Sequence, residues 1–238
     1  MVHIHYLGHA SFFLRFDNGI SVLTDYGESN SYGLNSPIHD LMGMEPDIVT
    51  FSHAHPDHQR PGVEFKRARV LTGMDSLHLQ GLEITPRQTS EASLDDADNT
   101  SYLFTYKGLK ILHLADAQAY ITAIEQEAVR QKIRELYPDT YDLLLMTIEG
   151  VNQFIPQAEK FIDLLQPARV IPMHYWSPEY KTDFLIHLEK QSGRLYRVMT
   201  AGSAEYKLCQ DNAAPVQVIS LEPAPFTNQQ PGENDDAK

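Results

Sequence analysis

The chain has 238 residues, of which 42% are hydrophobic and 21% are charged, so it can bury one sizeable core. Its net charge of −13 argues against nucleic acid and against anionic membranes as main partners, because both attract basic surfaces. The single cysteine, Cys209, excludes an intrachain disulfide and fits a reducing compartment.

The first half of the chain is typical of short strands. We predict strands at residues 2–7, 11–16 and 20–24, separated by Gly8 and by the turn signal Asp17-Asn18-Gly19. A short apolar strand follows at 48–51, and further strands are predicted at 69–71, 82–85, 101–106 and 110–114. The acidic segment 91–99 is predicted to be a loop.

The second half alternates helices and strands. Helical periodicity covers 121–136, and Pro156 and Pro178 each open a further helix, the first ending near residue 166. Strands are predicted at 141–148, 168–173, 194–198 and 204–208. This order favours a layered α+β or α/β domain. We assign residues 1–221 to one domain and 222–238 to a disordered polar tail.

The N-terminal segment lacks a basic region followed by an apolar run, so we expect no secretory signal. No apolar stretch approaches the roughly 20 residues that span a bilayer. The sequence therefore predicts a cytoplasmic protein that acts on a small-molecule substrate.

The strongest functional signal is the motif Ser52-His53-Ala54-His55-Pro56-Asp57-His58, which directly follows the predicted strand 48–51. Imidazole and carboxylate groups suit zinc and neighbouring divalent metals. Side chains two residues apart on an extended segment project together, so His53 and His55 can share one ion. Beyond the turn at Pro56, Asp57 and His58 can reach a second place, which makes two adjacent metals plausible.

The pattern H-x-H-x-D-H resembles the metal motif of the metallo-β-lactamase superfamily. Other landmarks follow in the order of that superfamily: residues 22–25 (VLTD), 112–116 (LHLAD) and 171–175 (IPMHY). Residues 6–10 (YLGHA) resemble the opening strand and turn of its ascorbate-6-phosphate-lactonase-like branch. The resemblance covers the chain up to about residue 210 and implies a four-layer αββα sandwich, of the α+β class, with metals at one edge.

The same resemblance implies the ligands. His53 and His55 would bind the first metal, while Asp57, His58 and His174 would bind the second. Asp116 would bridge the two ions. We expect one or two divalent ions, zinc first and manganese as the alternative.

The chain departs from the superfamily pattern at one ligand. A third histidine for the first metal is missing, since no histidine lies between His78 and His113, and Gln88 occupies the matching place. An amide oxygen is a poorer zinc ligand than imidazole. We therefore expect Gln88 beside a weakened first metal position, unless Glu91 or Asp95 completes the ligand set from the loop.

Three further residues have more than one role consistent with the sequence. His9 follows Gly8 on a turn that we expect near the site, where it could touch the substrate or a metal-bound group. Asp25 could hold a ligand imidazole through its outer N–H, or be an ordinary turn residue. His113 faces away from Leu112 and Leu114, and a role in the core or behind the ligands fits it better than metal binding.

The sequence thus predicts a metal-dependent hydrolase that directs a metal-bound hydroxide at a small ester, lactone or phosphoester. Asp57 would orient the hydroxide and pass its proton to the leaving group. Two alternatives stay open: a metal-binding sensor or ligand-binding module without turnover, and oxygen chemistry at a di-iron centre.

Overall fold

Two mixed β-sheets form the framework of the protein. The computed structural model describes residues 1–149, 154–191, 196–210 and 215–225. The first sheet has the strand order β13-β1-β2-β3-β4-β5. Its strands are β1 (Val2–Gly8), β2 (Ser11–Phe16), β3 (Ser21–Thr24), β4 (Ile48–Phe51), β5 (Arg69–Thr72) and β13 (Glu205–Leu208).

The second sheet has eight strands in the order β12-β14-β11-β10-β9-β8-β7-β6. Strands β9 to β12 and β14 run parallel, whereas β6 to β9 form an antiparallel meander. The strands are β6 (Leu77–Leu79), β7 (Leu82–Thr89), β8 (Asn99–Tyr106), β9 (Leu109–His113), β10 (Leu143–Glu149), β11 (Arg169–Tyr175), β12 (Tyr196–Thr200) and β14 (Val216–Ser220).

The helices of the described ranges gather on the second sheet. They are α1 (Gln118–Thr122), α2 (Glu127–Leu136), α3 (Phe154–Leu165) and α4 (Pro178–Gln191). Helices α3 and α4 pack on β10, α4 also contacts β11 and β12, and α1 and α2 lean on α3. None of these helices combines the length and the apolar character needed to cross a membrane.

The central strands of the first sheet, β2 to β4, are buried on both faces, as their apolar runs predict. Phe12 and Val22 join the main core between the sheets, while their neighbours Phe13 and Leu23 face the opposite side. That outer side is covered mainly by the connections around β4, through residues such as Tyr26. The same connections carry the histidine motif, so packing of the outer face also positions the motif.

The structure confirms the α+β sandwich and most of the predicted strands. The predicted helix 121–136 is two helices, α1 and α2, separated by a turn at 123–126 in which Gln126 N donates to Ala123 O. Strand β7 continues to Thr89, four residues beyond the predicted end, and strands β6 and β14 were not predicted.

The predicted tail lies mostly beyond the described residues. At its start, Ala224 N donates to Tyr6 O on β1, and residues 226–238 lie outside the described ranges. The prediction for 194–198 can be compared only from Tyr196 onward.

Gly27 yields a prediction about stability. A Cβ at this position would lie 1.8 Å from the carbonyl oxygen of Asp57, in the turn of the histidine motif. Because this neighbour is backbone, Gly27→Ala should destabilise the fold by about 3 kcal/mol, at the upper end of typical overpacking costs. Urea unfolding measures this change.

Gly43→Ala is the control for backbone preference alone. Gly43 has φ +82° and open space around its Cα, so its substitution should cost only about 1 kcal/mol. Equal stability losses in the two variants would contradict the close approach of Gly27 to Asp57.

Candidate metal centre

The structure brings together the six residues that the sequence assigned to metal binding. They come from the segment after β4, from the end of β9 and from β11, and all have donor atoms in overlapping clusters no more than 4.8 Å across. Each element ends at the same edge between the two sheets, which is why residues more than 100 positions apart meet. These residues are His53, His55, Asp57, His58, Asp116 and His174.

One cluster matches the second metal position. The Nε2 atoms of His58 and His174 are 3.1 Å apart, and Asp57 Oδ2 lies 3.7 Å from the former and 3.9 Å from the latter. Ligands bonded at 2.0–2.2 Å to a tetrahedral ion are separated by about 3.3–3.6 Å. The three distances lie on either side of this range, so small shifts of the side chains would let the three donors share one ion.

Asp116 stands between the clusters. Its Oδ2 is 3.2 Å from His58 Nε2 and 3.7 Å from His53 Nε2, while its Oδ1 is 2.8 Å from His174 Nε2. The carboxylate thus faces both histidine groups, which is the arrangement that a bridging ligand needs.

The other cluster contains His53, His55 and Glu91. His53 Nε2 and His55 Nδ1 are 3.1 Å apart, and Glu91 Oε2 lies 3.7 Å and 3.2 Å from them, respectively. Glu91 is half-buried, and burial and the negative charge of Asp116 raise its pKa. The carboxylates of Glu91 and Asp116 therefore repel each other, and a cation between them would neutralise their charges.

Gln88 points away from the metal centre. Its side chain is exposed and donates a hydrogen bond of 2.7 Å to the carbonyl oxygen of Ala97. Because β7 continues to Thr89, which is buried, alternation along the strand turns Gln88 to the other side. The expectation that Gln88 lies beside the first metal position, which came from the resemblance, is therefore wrong.

Asp25 and Glu149 hold two of the imidazoles from behind. Asp25 Oδ2 is 3.0 Å from His58 Nδ1, and its Oδ1 accepts a 2.8 Å hydrogen bond from Ser52 N. Glu149 Oε1 is 2.8 Å from His174 Nδ1. Both contacts leave Nε2 directed at the centre, the usual outer support of metal-binding histidines. Glu149 was missed by the sequence analysis, although it ends β10 beside β11.

His9 supports Asp57. Its buried Nε2 lies 3.1 Å from Asp57 Oδ2, and its carbonyl oxygen accepts hydrogen bonds from His174 N at 3.0 Å and Tyr6 OH at 3.1 Å. The turn between β1 and β2 is therefore tied to the end of β11. His113 behaves as a satisfied core residue, since its Nε2 bonds Ala10 O at 2.9 Å.

The backbone is strained around the centre. His9, Asp25, Ala115, Glu149 and His174 all have φ between 36° and 52°, in the left-handed region that residues other than glycine seldom adopt. Such conformations concentrate at functional sites, where the surrounding structure holds them. Here they turn the chain sharply where strands end, so that the side chains point into one place.

The charges of the centre shift its pKa values strongly. Burial opposes protonation of His58, but the carboxylates of Asp116 and Asp25 raise its pKa to about 10. Burial also opposes protonation of His174, whose pKa the charges of Asp116 and Glu149 nevertheless raise well above the usual value. The carboxylates thus make the site attract positive charge, and an incoming metal must displace those protons.

The donor set fits a metal. Asp57 Oδ1 is buried and has no hydrogen-bond partner among the described residues, which is costly unless a cation or water compensates it. Nitrogen and carboxylate donors with this clustering suit zinc, manganese or iron. His53, His55, Glu91 and Asp116 would hold one ion, and Asp57, His58, His174 and Asp116 the other.

Comparison with known proteins supports the assignment of this cluster as a metal centre. A family model described as the beta-lactamase superfamily domain matches residues 3–174. A metal-dependent hydrolase of the UPF0173 group from Methanosarcina barkeri is 25% identical over 205 residues, covering 73% of this chain and 83% of the relative. Its counterpart in Thermococcus onnurineus is 24% identical over 208 residues, covering 75% and 87%.

A solved structure agrees on the fold. The chain is similar to a crystal structure from Thermotoga maritima that is described as a proposed zinc-dependent hydrolase of the metallo-β-lactamase superfamily. The TM-score is 0.60 at 22% identity, and the match covers 93% of this chain and all of the other. At this identity the likeness concerns the fold alone.

Asp25 yields a prediction about metal affinity. Asp25→Ala removes the acceptor behind His58, so metal affinity should fall by roughly 10–100-fold, as for other outer partners of metal ligands. A competitive chelator titration measures the change. Asp47→Ala is the control, because Asp47 instead bonds Ser21 N and Oγ at the start of β3. An equal loss in both variants, or no loss in Asp25→Ala, would contradict the support of His58 by Asp25.

Proposed function

The chain belongs to the beta-lactamase superfamily, and on that basis we propose that it is a hydrolase of small ester, lactone or phosphoester substrates. The observation that carries the proposal is the buried carboxylate and imidazole cluster, assembled from distant strand ends with the spacing of metal ligands. The naming of the archaeal relatives as metal-dependent hydrolases supports the reaction type.

A divalent metal bound here would lower the pKa of water to about 7 and polarise the attacked carbonyl or phosphoryl group. Asp57 is the residue placed to handle the proton. Its Oδ2 is held by His9, whereas its buried Oδ1 has no hydrogen-bond partner among the described residues. Asp57 would orient the attacking water through this carboxylate and pass a proton to the leaving group.

An exposed aromatic residue, Tyr32, lies beside a histidine of the centre. Tyr32 is 66% exposed, and its ring centroid lies 6.3 Å from that of His55 in an edge-on arrangement. Trp176, 37% exposed, follows the end of β11, and its carbonyl oxygen accepts a 3.1 Å hydrogen bond from Asn35 N. This bond attaches the segment that carries Tyr32 to the end of β11, and the Tyr32 ring can contact the apolar part of a substrate.

The proposed substrate class rests on the sequence resemblance. The likeness of residues 6–10 to the ascorbate-6-phosphate-lactonase-like branch favours a lactone, a phosphorylated sugar acid or a phosphodiester. Zinc is the first candidate for the second metal position, where two imidazoles and Asp57 meet Asp116. A small-molecule partner and a cytoplasmic location stay predictions from the sequence.

A panel of simple substrates tests the reaction type. Protein freed of metal and then reloaded with zinc or manganese is assayed on aryl esters, lactones and phosphodiesters. We expect metal-dependent turnover of at least one class. Stoichiometric metal binding without turnover of any class would instead favour the alternative of a metal-binding module.

Asp57 yields the central mechanistic prediction. Asp57→Asn keeps the shape of the side chain but removes its charge, so turnover should fall by about 10²–10⁴-fold, the usual contribution of general acid–base catalysis. Steady-state kinetics on the best substrate, at matched metal content, measures the effect.

Asp40→Asn is the matched control. Asp40 is an exposed carboxylate in the segment before β4, where it contacts Tyr26 OH and Arg60. Its substitution should leave turnover unchanged. Normal turnover in Asp57→Asn with full metal content would refute the proposed role of Asp57.

A further inference from the structure

We propose that Glu91 is the third protein ligand of the first metal position and that it biases this position toward a harder ion, manganese or ferrous iron. The inference deepens the proposed function, because it concerns the same centre. It begins from a contact that the ligand motif does not contain: the carboxylate of Glu91 lies against both His53 and His55.

The geometry is that of three groups around one point. The three donor atoms, His53 Nε2, His55 Nδ1 and Glu91 Oε2, are separated by 3.1, 3.2 and 3.7 Å. These distances bracket the edge of about 3.3–3.6 Å expected for ligands bonded to one tetrahedral ion. Asp116 Oδ2, 3.7 Å from His53 Nε2, stands on the fourth side.

The loop that carries Glu91 is held in place by its own hydrogen bonds. Glu91 N donates to Asp98 Oδ1 at 2.9 Å, and Ala97 N donates to Ser90 Oγ at 3.1 Å. Gln88 closes the same loop through its bond to Ala97 O. Gln88 therefore helps to fix the segment from which Glu91 reaches the centre.

Charge supports a cation between Glu91 and Asp116. Three carboxylates, those of Glu91, Asp57 and Asp116, contribute −3 to the centre against the +4 of two divalent ions. A histidine in place of Glu91 would contribute no negative charge, and the loaded centre would carry one more positive charge. The carboxylate thus compensates the first ion more fully than the usual imidazole does.

The ligand type gives the direction of selectivity. Compared with a third imidazole, a carboxylate oxygen favours harder ions such as manganese. Two histidines with one carboxylate hold ferrous iron in some enzymes and zinc in others, so the set shifts the preference without excluding zinc. Divalent zinc binds most sites more tightly than manganese does, so the effect is expected in the ratio of the two affinities.

Metal titrations of three single variants test the inference without using activity. Each metal-free protein is titrated with Mn²⁺ and with Zn²⁺ by calorimetry, and the manganese forms are examined by electron paramagnetic resonance. We expect two Mn²⁺ ions in the wild type, with the spin coupling of neighbouring ions. Glu91→Gln should weaken the first ion at least about 100-fold, more than the roughly 10–100-fold of an outer partner, and abolish the coupling.

Glu91→His and Gln88→His form the matched pair. Glu91→His should keep two ions and raise the preference of the first position for zinc over manganese at least about tenfold, because it exchanges an oxygen for a nitrogen donor. Gln88→His should leave the preference between the two ions unchanged, because its side chain lies outside the centre; loss of its bond to Ala97 O should weaken Mn²⁺ and Zn²⁺ binding by the same factor.

Two results would overturn the inference. One is a Glu91→Gln protein that keeps two equally tight, coupled ions. The other is a Gln88→His protein that shifts the metal preference as Glu91→His does. Neither depends on hydrolysis, so a failure of the substrate panel with the expected metal data would refute the proposed function and leave the role of Glu91 standing.

Discussion

Mutual repulsion among buried carboxylates is the constraint on which the centre depends. Asp57 and Asp116 are almost fully buried, and Glu91 is half-buried beside them. Burying a charge costs several kcal/mol unless an opposite charge or hydrogen bonds offset the loss of water. Protonated histidines can supply that charge in the metal-free protein, and two divalent ions can supply more of it.

The fold meets this constraint by ending several strands at one edge. Strands β4, β9, β10 and β11 bring the acidic and imidazole side chains to the same place, and turns with positive φ aim them inward. Asp25, Glu149 and His9 then fix individual ligands from behind. Three ligands, His58, His174 and Asp57, are thus each oriented by a partner on a different element, so the packing of both sheets helps to set the position of the metals.

The sequence was sufficient to predict those ligands of the metal centre that follow apolar strands within a few residues. The motif between His53 and His58 follows an apolar strand within a few residues, and Asp116 and His174 end apolar strands that the resemblance could align. The outer role of Asp25 was open from the sequence, and its contact with His58 is now observed.

Contacts between residues far apart in the chain could not be predicted in the same way. Glu149 lies 25 positions from its partner His174, and no spacing rule points to it. His9 was expected near the site, but its contact with Asp57 was not predicted. The resemblance assigned Gln88 to the place of the missing histidine, with Glu91 or Asp95 as alternatives from the loop. Strand β7 continues through Pro86 to Thr89, so Gln88 faces away from the centre and Glu91 reaches it from the loop.

Anomalous X-ray diffraction from crystals grown with manganese or zinc tests the central claim most directly. The account predicts two anomalous peaks: one among His53, His55 and Glu91, and one among Asp57, His58 and His174. Asp116 should lie between them. Crystals whose metal-edge data show no peak at either place, despite saturating metal, would contradict the claim that this buried cluster is a metal centre.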